Sequence, residues 1–119
     1  MKTPEQITNS LVKEFDKLND IREQSLKLSR EIIKSCSKSI RNVHRNNLDE
    51  AKQHLDEANK NYQDLRSSLK DIPELRFAGY VNDSERELIE AFLVFEFEKT
   101  NSLLKFEGCL LYTSDAADD

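Results

Sequence analysis

An all-α fold is predicted by three features of the chain. Apolar residues recur every three or four positions over most of its length. Only two Gly and two Pro occur in 119 residues, and 34% of the residues are charged against 37% hydrophobic. So little turn material does not suit a β-sandwich or a parallel α/β sheet. The length fits a single domain.

Thr3-Pro4-Glu5-Gln6 is a helix start: Thr3 as N-cap, Pro4 in the first turn, and Gln6 as the reciprocal partner of a capping box. Ile7, Leu11, Phe15, Leu18, Ile21, Leu28, Ile32, Cys36, Ile40 and Val43 then form one stripe on a helix of about 40 residues. A polar break falls at Arg45-Asn46-Asn47, and Asn47 with Glu50 repeats the capping pattern. The second helix carries Leu48, Ala51, Leu55, Ala58, Tyr62, Leu65, Leu69 and Ile72 at alternating steps of three and four, a heptad seam. The short connection predicts that it lies antiparallel to the first helix.

Pro73 ends that helix, and the stretch from Pro73 to Val81 reads as a connector. Asn82, with Glu85 as its partner, is predicted to cap a third long helix. Leu88, Ile89, Ala91, Phe92, Leu93, Val94, Phe95 and Phe97 make this helix apolar almost all round. Such a helix requires burial on several sides, more than two preceding helices supply. The chain therefore reads as incomplete or obligately oligomeric. Helical patterning is expected to stop after Gly108. Residues 109–119 resemble translated sequencing-adaptor read-through, so 1–108 is the expected domain and 109–119 a non-native tail, with a native frayed acidic tail as the alternative.

The net charge of −5 argues against an evenly basic surface, but the charges are unevenly distributed. Residues 1–46 hold ten basic and six acidic groups, whereas residues 47–108 hold eight and fourteen. Lys27, Arg30, Lys34, Lys38, Arg41 and Arg45 advance by steps of three and four along the first helix. At 100° per residue they fill an arc of roughly 80° over a length of about 27 Å, opposite Ile32, Cys36, Ile40 and Val43. Cations in register along a line suit a phosphate backbone; a solvated helix face is the alternative. Between Arg22 and Arg45, seven basic residues accompany two acidic ones.

Glu87 and Glu90, three apart, share one face of the third helix, with Asp83 and Glu98 on roughly the same side. Adjacent carboxylates on a buried helix repel unless a cation lies between them. Mg²⁺ or Mn²⁺ is the natural cation, and it can activate water for phosphodiester hydrolysis. The alternative is that acids simply favour a helix start. Cys36 and Cys109 are too few and too far apart for a disulfide framework or a zinc site, which suits a reducing, cytoplasmic setting. The N-terminus is polar, and no apolar run approaches the roughly 18 to 20 residues that span a bilayer. His44 ends the first helix and His54 lies on the exposed side of the second. No Ser/His/Asp or Cys/His arrangement, Gly-rich phosphate loop or Glu-x-x-His pair is present.

Asp20-Ile21-Arg22-Glu23, Lys27-Leu28-Ser29-Arg30-Glu31-Ile32 and Ser39-Ile40-Arg41-Asn42-Val43-His44-Arg45 resemble the first long helix of the translin family. The nearest branch is that of translin-associated factor X and the archaeal translin-like proteins. The likeness resumes at Pro73, at Tyr80-Val81, at Arg86-Glu87-Leu88-Ile89-Glu90-Ala91 and at Phe97-Glu98-Lys99-Thr100-Asn101-Ser102-Leu103, so it covers residues 1–108. The resemblance implies an all-α bundle of about seven helices, assembled into a homo- or hetero-oligomeric shell that binds single-stranded RNA or DNA inside. In the nuclease-active branch, two glutamates of a Glu-x-x-Glu-Ala motif and a later aspartate hold Mg²⁺ for endoribonuclease cleavage. Glu87 and Glu90 match the glutamates, as metal ligands and catalytic residues, while the aspartate has no counterpart. A helical scaffold whose heptad helix binds a partner helix is the rival reading.

Overall fold

The computed structural model describes the backbone of residues 2–111 and the side chains of residues 2–101. Helix α1 spans Pro4–His44, α2 Leu48–Ser68, α3 Pro73–Arg76 and α4 Gly79–Leu111, with no strand among the described residues. The fold is all-α, as the periodicity predicts.

The start of α1 forms the expected capping box. Thr3 Oγ1 accepts the Gln6 N–H at 3.2 Å, and Gln6 Oε1 accepts the Thr3 N–H at 3.0 Å. Its end is closed by a feature the polar break only hints at. Asn46 takes a left-handed conformation, φ 61°, which Asn tolerates better than most residues. The Asn47 N–H then reaches the Asn42 carbonyl at 2.8 Å and the Asn46 N–H the Val43 carbonyl at 3.0 Å, the paired bonds of a Schellman motif. Asn47 is thus committed to ending α1, and its side chain makes no capping bond to α2; the predicted second capping box is absent.

Helix α2 runs back antiparallel to α1. The Ser39 hydroxyl donates to the Ala51 carbonyl at 2.8 Å near one end, while Ile72 shares a groove with Phe15, Leu18 and Ile21 near the other. From Ala51 to Leu69 every position of the heptad seam is buried, and Leu48 and Ile72 are half-buried. The seam outlasts the helix: α2 stops at Ser68, and the Leu69 N–H bonds the Leu65 carbonyl, so the last two seam residues pack from the turn.

Pro73 opens the one-turn helix α3 within the expected connector, because its fixed φ suits a first helical position. Helix α4 begins at Gly79, three residues before the predicted cap. The Ala78 carbonyl accepts the N–H groups of both Val81 and Asn82, which places Asn82 inside the first turn. Two hydroxyls fix that turn against α1. The Ser29 and Ser84 hydroxyls lie 3.0 and 2.9 Å from the Tyr80 carbonyl and within hydrogen-bond reach of each other; with one proton apiece, one donates to the carbonyl and the other to its fellow serine. At its other end α4 continues to Leu111, past the expected stop at Gly108; residues 112–119 lie outside the described residues.

Ser29 meets Tyr80 and Ser84 at one level, and Val43 meets Val94 and Phe97 further on, so α4 runs parallel to α1. The result is an up-down-up arrangement. It is a rod of 85 × 21 × 16 Å with a radius of gyration of 22.3 Å, against about 13.5 Å for a compact chain of this length. At 1.5 Å per residue α1 is roughly 60 Å long and α2 roughly 30 Å. The N-terminal part of α1 therefore overhangs its partner, and Ile7, Leu11, Val12 and Phe15 stay exposed on it. On α4, only Val81, Ser84, Ala91 and Phe95 are buried among the described residues. Ile89, Phe92, Leu93 and Phe97 face outward, as expected of an apolar helix with two neighbours.

Candidate nucleic-acid interface

The basic stripe lies on the side of α1 turned away from the core. Lys27, Arg30, Lys34, Arg41 and Arg45 are exposed and Lys38 is half-buried, while Ile32, Cys36 and Val43 opposite are buried and Ile40 is half-buried. Among the described residues the ion pairs are His54 with Glu57 at 3.9 Å and Arg86 with Asp83 at 3.7 Å, both within one helix. No cation of the stripe is neutralised by a carboxylate among these residues. Arg41 Nε donates only to the Ser37 carbonyl one turn back, at 3.5 Å.

Helix phases show how the stripe and the acidic pair are related. On α1, Ser39 points at α2 and Ser29 points at α4. These directions are about 80° apart, and Arg30 and Arg41 follow about 100° to 120° further round in the same sense. On α4, Leu88 and Phe92 line the α2 side and Ser84 faces α1. Glu87 and Glu90 come next, on the side away from α2. Both sets therefore border one face of the parallel α1–α4 pair, with Arg30, Lys34 and Arg41 along one edge and the two carboxylates along the other. Packed helix axes lie about 8 to 10 Å apart, so a single nucleic-acid strand can touch both edges. Lys27, Lys38 and Arg45 sit further round α1.

Cys36 fixes the level at which the carboxylates stand. Burial, and then the charges of Glu87 and Glu90, push its thiol up to about 11. The pair therefore lies abreast of the middle of the stripe. Below pH 9.0 the thiol is neutral in folded and unfolded protein alike, and the stability this neutrality supplies is lost as pH rises from 9.0 toward 11. At pH 8 native Cys36 should resist iodoacetamide and react once the chain is unfolded; rapid labelling of the native protein would contradict its burial. On the far side of α4, burial and then the Glu85 charge raise the Tyr62 hydroxyl in the same direction.

The acidic constellation is smaller than its spacing suggests. Glu87 is half-buried and Glu90 exposed, and Asp83 is engaged with Arg86. Among the described residues no group of three or more His, Cys, Asp or Glu could hold a metal. Mg²⁺ is commonly held by one or two carboxylates, with waters and phosphate oxygens completing its six ligands, and the Cys36 thiol beside this pair is held protonated. His54 stays local to α2 in its pair with Glu57. His44 does more than end α1: it lines an open hollow of about 730 Å³ together with Val43, Leu93 and Phe97. The spacing of chemistry-bearing residues gives no sign of this hollow, although Phe97 is visible in sequence as an aromatic on an over-apolar helix.

Fold and surface thus define a rod of long helices with a one-signed stripe beside an acidic pair. By sequence the chain is similar to a protein of Methanocaldococcus jannaschii described as uncharacterized, at 33% identity over 100 residues. The match takes in 83% of this chain and 44% of that protein, so the chain spans less than half the length of its relative. No protein-family model matches the chain, and no solved structure matches it significantly. No helix among the described residues is long and apolar enough to cross a membrane.

Proposed function

We propose that the chain binds single-stranded nucleic acid, RNA or DNA, along the outer face of α1, with Lys27, Arg30, Lys34, Lys38, Arg41 and Arg45 as its phosphate contacts. The observation that carries this reading is that six cations line up along five helical turns, none paired with a carboxylate among the described residues. A merely solvated face needs no single sign, and paired charges would serve it as well. The translin resemblance supports the same reading. It also extends it to a cytoplasmic, oligomeric parent protein that is a Mg²⁺-dependent endoribonuclease with Glu87 and Glu90 as metal ligands. The later aspartate of that site has no counterpart in this chain, so the activity proposed for the chain itself is binding. The test is a titration of labelled single-stranded RNA at several salt concentrations.

A scaffold that binds a partner helix is a second reading with an observation of its own. The α2 seam is buried within the chain, but Ile89, Phe92, Leu93 and Phe97 leave an apolar face on α4 open. A helix laid on that face would bind without regard to salt, since its contacts are apolar.

A further inference from the structure

The hollow at the end of the basic stripe has walls of a different character from the stripe. Its floor and sides are Val43 and His44 from α1 and Leu93, Val94 and Phe97 from α4. Phe97 is 72% exposed, so its ring is open to a ligand. At about 730 Å³ the space is within the range of small-molecule sites. On α1, Arg41 stands about 60° round from His44 and one turn back, on the border of the face that holds the hollow, while Arg45 sits further round. Glu96 and Glu98, both half-buried, complete its wall.

We infer that this hollow receives an unstacked base of a single strand whose nearest phosphate lies on Arg41, with Phe97 as the stacking surface. The inference rests on the single-strand binding proposed above. Charge divides the ligand between the two regions. Arg41 attracts the backbone, while Glu96 and Glu98 repel phosphate from the hollow and accept hydrogen bonds from the exocyclic amino group of a base. Stacking on an exposed aromatic is the usual companion of a basic track in single-strand binders.

The test compares oligoadenylate with an abasic backbone of equal length, using the full chain. Wild type should bind oligoadenylate more tightly, and Phe97→Ala should lower that affinity by roughly 10-fold or more. Binding of the abasic backbone and the salt dependence should not change, and Phe97→Trp should restore the preference. Phe97 is exposed, so its removal leaves the core intact. Equal binding of the two oligonucleotides by wild type, or wild-type affinity in Phe97→Ala, overturns the hollow and leaves the stripe standing. Loss of self-association in Phe97→Ala, with RNA affinity unchanged in sedimentation, would make the hollow a subunit contact instead. If wild type binds neither oligonucleotide, the stripe falls together with the hollow.

Discussion

Reversing two charges in the middle of the stripe, Lys34→Glu with Arg41→Glu, is expected to lower affinity for single-stranded RNA by at least roughly 100-fold near physiological salt. The two residues lie on the border of α1 nearest Glu87 and Glu90. Reversal both removes two phosphate contacts and extends the acidic edge across the face. Both side chains are exposed, so the fold should survive, and an unchanged circular dichroism spectrum would confirm it. Lys60→Glu with Lys70→Glu makes the same change in net charge at exposed positions elsewhere on the rod. That control should bind within a few-fold of wild type. Equal losses in the two variants would mean that overall charge, and not the stripe, governs binding.

The second large effect is on stability. Ile32 and Leu65 are each 0% exposed, on α1 and α2, in the core the helices share. Truncating either to Ala removes buried methylenes and leaves a cavity, at a cost of about 2 to 5 kcal/mol. A domain of this kind has only about 5 to 15 kcal/mol of stability in total, so Tm should fall by roughly 10 °C or more. Phe15→Ala is the informative contrast. Phe15 is as apolar as any residue of the stripe on α1, but it is 69% exposed on the overhang. Its loss should cost no more than about 0.5 kcal/mol. A thermal melt by circular dichroism separates the two, and a Phe15→Ala drop as large as that of Ile32→Ala would mean that the overhang is covered.

Periodicity carries most of the architecture, because burial of a helix face leaves its imprint at every third or fourth residue. The α2 seam is legible for that reason down to Leu69 and Ile72, which pack even though the helix has ended. Periodicity does not tell how far a partner reaches: Ile7, Leu11 and Phe15 carry the same apolar signal as Ile32 and Cys36 and remain uncovered. Helix ends were less legible, because side-chain caps compete with backbone solutions. Asn47 has the composition of a cap, yet the left-handed Asn46 uses it to close α1. Asn82 has the composition of a cap too, yet Ser29 and Ser84 hold the Tyr80 carbonyl and let α4 start earlier. The buried serines 25, 29, 35 and 39 were hidden among the polar residues of α1, although small side chains are what allow two helices to approach it. For the interface, spacing alone placed the six cations on one line. That the line and the Glu87–Glu90 pair share a face depends on α4 running parallel to α1, which no local pattern encodes.

The most direct measurement is the slope of log Kobs for a single-stranded RNA of about a dozen nucleotides against log salt, between about 50 and 200 mM. Six phosphate contacts on single strands correspond to a slope of about −4. The Lys34→Glu, Arg41→Glu variant should be shallower by roughly 1 to 2. A wild-type slope near zero, or no binding at the lowest salt, would contradict a phosphate track on α1.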